Sequence, residues 1–176
     1  STPARFVGDP VRRLLPWLLL GLLAAATLLE SDRVPLSVPV DGVSPARLSD
    51  TFGAPRSGGR KHAGTDIFAS RGTPVRAAHH GFVLRVGTTP LGGRSVWTIG
   101  RRGVLCYYTH LDAWAPGLAA GDWVAPSTRI GTVGNGGNAR TTRPHLHFEV
   151  RPLALLLAPT DPLPMMGAPP RPSRWR

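Results

Sequence analysis

The chain is poor in the residues that most often declare a mechanism. Cys106 is its only cysteine, which excludes an internal disulfide framework and a cysteine-built metal site. Lys61 is its only lysine, so 20 of the 21 basic residues are arginine. Acidic residues number only 10, and the net charge is +11. A surface this basic suits a polyanionic polymer or a membrane, or simply keeps the chain soluble. No run of five or more Lys/Arg occurs, and no zinc-finger, RRM-like or KH-like pattern is present, so nucleic acid is not an expected partner. Long apolar runs are also scarce, with one exception near the N-terminus.

Glycine and proline are abundant. Gly 21 and Pro 19 together make close to a quarter of the 176 residues. Punctuation this dense disfavours a helical bundle and favours short strands joined by turns. Runs rich in Val, Ile, Thr and aromatics predict strands at Pro74–Ala78, Gly81–Val86, Ser95–Ile99, Val104–His110, Thr128–Val133 and His145–Val150. Turn signals separate them at Thr89–Gly93, Arg101–Gly103 and Gly134–Gly137. The expected fold is therefore all-β, an antiparallel sheet domain with few short helices. Cys106, inside the apolar stretch Val104–Tyr108, is expected to be a small buried residue and not a catalytic thiol.

The exceptional apolar run is Leu14–Leu29, 16 residues without a charge. As a helix it would span roughly 24 Å, short of the ~30 Å hydrocarbon core. It reads as an N-terminal hydrophobic helix, either a membrane anchor or a secretory signal, with Arg12-Arg13 as its basic flank. An N-in orientation follows, placing everything after Glu30 outside the cytoplasm, in the periplasm or beyond. The expected organisation is residues 1–30 as flank and anchor, 31–47 as linker, 48–163 as one domain, and 164–176 as a Pro/Arg-rich tail.

Four of the six histidines fall in contexts that suit a metal. In His62-Ala63-Gly64-Thr65-Asp66, an extended backbone puts residues 62, 64 and 66 on one face, with Gly64 leaving room for an ion. In His145-Leu146-His147, a strand puts both imidazoles on one face and Leu146 in the core. His110 ends a predicted strand, where it can reach a groove. Each pattern alone is weak. Together they imply three protein ligands and one open position, the arrangement of catalytic zinc, with further imidazoles to move protons.

The ordered set His62-x-x-x-Asp66, Tyr108-Thr109-His110-Leu111 and Pro144-His145-Leu146-His147-Phe148-Glu149 resembles the lysostaphin/LytM-type metallopeptidases. Supporting matches are Thr51-Phe52-Gly53, Gly72–Ala78 followed by Gly81-Phe82-Val83, Gly121–Val124, Ile130–Gly134 and Asp161-Pro162-Leu163. The resemblance covers roughly residues 48–163. It implies that His62, Asp66 and His147 bind one zinc ion, and that His110 and His145 are the catalytic pair. It implies a long groove walled by loops, and a zinc endopeptidase cutting peptide crosslinks of peptidoglycan in the cell envelope. Relatives that have lost ligands act as non-catalytic wall-binding or hydrolase-activating modules; this chain keeps all five residues. Two departures stand out. Arg56 occupies the place of a tyrosine that lysostaphin-like members carry, and suits an oxyanion or a substrate carboxylate. Arg140 and Arg143 precede the last motif and are expected at the groove rim, facing the substrate.

Overall fold

A computed structural model describes residues 15–22 and 34–168. Half of the apolar run Leu14–Leu29, residues 14 and 23–29, therefore lies outside the described residues. Its described part, residues 15–22, is an exposed helix. Among the described residues no helix is long and apolar enough to cross a membrane.

The rest is strand and turn, as the composition implies. Eight strands form one sheet: β1 (Thr65–Phe68), β2 (Pro74–Arg76), β3 (Gly81–Thr89), β4 (Gly93–Gly100), β5 (Val104–Trp114), β6 (Trp123–Val124), β7 (Arg129–Val133) and β8 (His145–Pro152). All pairings are antiparallel, in the order β1-β8-β5-β4-β3-β6, with β7 joining β5 to β2. Helical turns between strands are short 3-10 segments of three residues. Six strands were foreseen from sequence within a few residues. β1 was not, because four residues following a glycine bend show too little period to read.

β5 holds the sheet together. Residues Val104–Thr109 pair with β8 on one side, and the same stretch pairs with β4 on the other. After His110 the strand changes partner and continues on β7. His110 thus does not end the strand, as the sequence suggested. It sits at a kink inside it, with a left-handed φ of 61°, a conformation uncommon outside glycine and a frequent mark of a constrained functional position.

The pleat sorts the two faces. Cys106 and Tyr108 on β5, and Leu146, Phe148 and Val150 on β8, point into a dry core with Val75, Val83, Val96 and Ile130. The alternate residues, Tyr107 and Thr109 on β5 and His145, His147 and Glu149 on β8, line a groove. The Tyr108 hydroxyl is buried but accepts the Ala78 N–H at 2.9 Å, so it carries no unpaired cost.

The core takes in more chain than expected. Leu36, Val40 and Leu48 are buried, Val40 bridges Val75, and the Leu36 N–H donates to Met165. Residues from Val34 onward are therefore packed structure and not a linker. Likewise Met165 and Met166 are buried, so residues 164–168 belong to the body and not to a tail. In both segments, apolar side chains spaced between prolines find a sheet face to cover, which composition alone conceals. Cys106 is fully buried, and burial pushes its thiol well above the usual range. A thiol reagent is expected to leave the native chain unmodified and to titrate one thiol per chain in denaturant; a fast native reaction would contradict this packing.

Candidate metal centre

Asp66 and His147 are directly opposed in the β1–β8 register. His62 reaches the same point from just before β1. Three atoms converge there: His62 Nε2 lies 2.7 Å from His147 Nδ1, and each lies 3.0 Å from Asp66 Oδ1. The three residues are the one set of His, Cys, Asp or Glu among the described residues placed to share a metal ion.

The outer atoms of the rings explain how the inner ones are presented. His62 Nδ1 donates to the Thr51 carbonyl at 2.6 Å, and His147 Nε2 donates to Glu149 at 2.9 Å. In the neutral rings the proton points outward, so each inner nitrogen presents its lone pair to the cluster. Thr51 fixes the other end of the motif too, since its hydroxyl accepts the Asp66 N–H at 3.0 Å. Glu149 is held in turn by Arg151 at 2.6 Å. Two nitrogens and a carboxylate oxygen within 3.0 Å of one another repel unless a proton or a metal cation is shared between them. Zinc bonds of about 2.0–2.1 Å in a tetrahedron separate ligand atoms by about 3.3 Å. The observed triangle is a few tenths of an ångström tighter, so these residues fit such an ion with little movement.

Asp66 is buried, which raises a carboxyl pKa, but hydrogen bonding to His147 and His62 outweighs this and holds it far below the usual range. Burial opposes the His147 proton as well, yet its two carboxylate partners raise it overall. The second oxygen of Asp66 accepts from Arg56 Nη2 at 2.6 Å. Arg56 therefore engages the outer oxygen of Asp66 and leaves Oδ1 to the cluster, which is a different position from the oxyanion contact that the sequence suggested.

His145 and His110 lie beside the cluster. His145 Nδ1 donates to the Arg143 carbonyl at 2.8 Å, and its Nε2 stands 3.8 Å from Asp66 Oδ1. His110 Nδ1 donates to the Gly136 carbonyl at 2.8 Å, and its ring meets His145 edge-on at 5.1 Å between centroids. Both thus offer a bare Nε2. Burial, then the neighbouring imidazoles, lower His110 to about 4. All five residues line one groove of ≈ 820 Å³.

The sequence missed part of that groove. Arg140 and Arg143 are not among its lining residues; the Arg143 guanidinium lies over the Phe68 ring at 5.5 Å. The cations on the wall are Arg56, Arg60 and Lys61. Gly64 also has a different reason from the one expected. A Cβ there would run into the Phe148 carbonyl and the Glu149 side chain, so the glycine lets β8 approach and does not make room for an ion. His79, buried between Thr98 and the His80 carbonyl, has a structural place outside the groove.

Residues 60–159 match the model of peptidase family M23. The chain belongs to this family. It is 40% identical over 108 residues to the L-Ala–D-Glu endopeptidase of Bacillus subtilis, covering 56% of this chain and 32% of that relative. It is similar to the solved catalytic domain of lysostaphin from Staphylococcus simulans, at 28% identity and a TM-score of 0.60, covering 69% of this chain and 92% of that one. A zinc-containing peptidase from Vibrio cholerae matches at 27% identity and a TM-score of 0.60, covering 78% of this chain and 41% of that one. The chain spans about a third or less of the first curated relatives it matches. M23 is a family of peptidoglycan endopeptidases whose norm is zinc-dependent hydrolysis, and the lysostaphin-like resemblance holds.

The Gly64 contact gives a direct test. Gly64→Ala is expected to cost about 1–3 kcal/mol through overpacking, lowering Tm by roughly 2–10 °C in thermal denaturation. An unchanged Tm would contradict the close approach of β8.

Proposed function

We propose that this M23 chain is a zinc-dependent endopeptidase that hydrolyses peptide crosslinks of peptidoglycan on the outer side of the cytoplasmic membrane. The observation that carries this is the set of imidazoles whose outer nitrogens are all spent on fixed oxygens, two of them joining Asp66 around one point. His62 Nε2, Asp66 Oδ1 and His147 Nδ1 would hold one zinc ion. When bound, zinc polarises a carbonyl and brings the pKa of a coordinated water toward neutrality.

The chain's own residues supply the rest. His145 takes a proton at Nε2, while its Nδ1–H, held by the Arg143 carbonyl, keeps the ring aimed. His110, held by Gly136, is likewise an acceptor first. In these tautomers neither ring can donate from Nε2 until it has gained a proton. Each therefore stabilises negative charge, or protonates a leaving amine, only after acting as a base. The positive φ of His110 is what turns its ring out of the sheet toward the site.

The catalytic unit in this reading runs from Val34 to Ala168. The segment Leu14–Leu29 anchors it or exports it, which brings the groove to the wall.

The purified protein is expected to carry one zinc per chain by elemental analysis. Digestion of peptidoglycan should release fragments with new free peptide termini by mass spectrometry. Asp66→Ala should lose both zinc and release. His145→Ala should keep zinc and lose about 10²–10⁴-fold in rate. A non-catalytic relative would release nothing even when loaded with zinc, and that outcome would refute the proposal.

A further inference from the structure

The wall of the groove next to the cluster is a short hairpin, residues 53–62. The His62 N–H donates to Ala54 and the Gly53 N–H donates back to His62, both at 2.8 Å. Pro55 bridges Lys61, and the Arg56 N–H donates to the Arg60 carbonyl at 2.9 Å. The turn is Ser57-Gly58-Gly59, with both glycines left-handed at φ 71° and 72°, a conformation that glycine adopts at no steric cost. The hairpin is thus continuous with a ligand of the cluster, and Arg56 ties it there through Asp66.

Among the described residues its other two cations have no such partner. Arg60 is exposed and its guanidinium reaches only Ser57. Lys61 is exposed beside it. Among the described residues neither forms an ion pair. The acids lining the groove are Asp66 and Glu149, and both are already engaged, with Arg56 and the imidazoles and with His147 and Arg151 respectively. Among the described residues the groove therefore offers unneutralised positive charge at one wall and no free negative charge along its lining.

Resting on the endopeptidase reading, we propose that this hairpin is a carboxylate-reading lip. Arg60 and Lys61 select an acidic peptide, a stem peptide with free carboxylates, over an uncharged bridge such as oligoglycine. A neutral peptide gains nothing from these cations, whereas a carboxylate placed along the wall from the scissile bond meets both. Arg56 is excluded from the reading because Asp66 already occupies it.

The test compares kcat/KM for crosslinked stem-peptide dimers with free carboxylates and for the same dimers with those carboxylates amidated. The zinc-loaded wild type is expected to favour the free acid about tenfold at low salt, the scale of two partly exposed ion pairs. The preference should fall toward one in about 1 M salt, where charges are screened beyond ~3 Å. The double variant Arg60→Ala, Lys61→Ala should bring the ratio to within about twofold of one at low salt. Arg129→Ala, an exposed cation outside the groove, should keep the wild-type ratio. A wild-type ratio near one, a ratio kept in the double variant, or an equal loss in Arg129→Ala would each overturn the lip. If neither dimer is cut, the endopeptidase reading itself falls; the lip is then judged by the Kd values of the two dimers, with the same ratios expected.

Discussion

Two imidazole nitrogens with bare lone pairs face one carboxylate oxygen across 2.7–3.0 Å, and the rest of the structure is arranged to hold them there. Without a shared proton or metal ion, such a cluster repels itself. It persists because its members are fixed from outside. The β1–β8 register sets Asp66 against His147, Thr51 grips both His62 and Asp66, and Glu149 takes the outward proton of His147. The glycine at position 64 lets the two strands close to this distance. A small sheet thereby stores a demand for a cation, and the family to which the chain belongs meets that demand with zinc.

The same device is repeated on the neighbouring residues. His110 and His145 also spend their outer protons on backbone carbonyls. Four rings, three with Nδ1 turned outward and His147 with Nε2, give two that share a charge and two that stand beside it as acceptors. Backbone carbonyls are well suited to this task, because they cannot titrate and move only if the sheet moves. The geometry of the cluster is therefore a property of the fold, and β5 and its kink at His110 are as much a part of the site as the imidazoles.

Much of this could be read from the residues. The density of Gly and Pro, with Val, Ile and Thr between, announced an antiparallel sheet. The period-two spacing of His145 and His147 announced two imidazoles on one face, with Leu146 in the core. What sequence could not supply was partnership across the fold. β1 is too short to show a period. The kink at His110 follows from β5 having to serve β8 and then β7. Arg56 pairs with a residue ten positions away, and only the hairpin turn at Ser57-Gly58-Gly59 shows why Arg60 and Lys61, and not Arg140 and Arg143, face the groove. Residues 34–47 and 164–168 looked like surface chain because their apolar residues are thinly spread, although Leu36 and Met165 meet across the core.

The central claim is that one zinc ion occupies the point where His62, Asp66 and His147 converge. X-ray absorption at the zinc edge of the purified protein tests it most directly. The account predicts a low-coordinate site with two imidazole nitrogens, an oxygen-rich remainder and no sulfur, at distances of about 2.0–2.1 Å, and it predicts that one imidazole disappears from the shell in His62→Ala. A shell containing sulfur, or one left unchanged by that substitution, would contradict it.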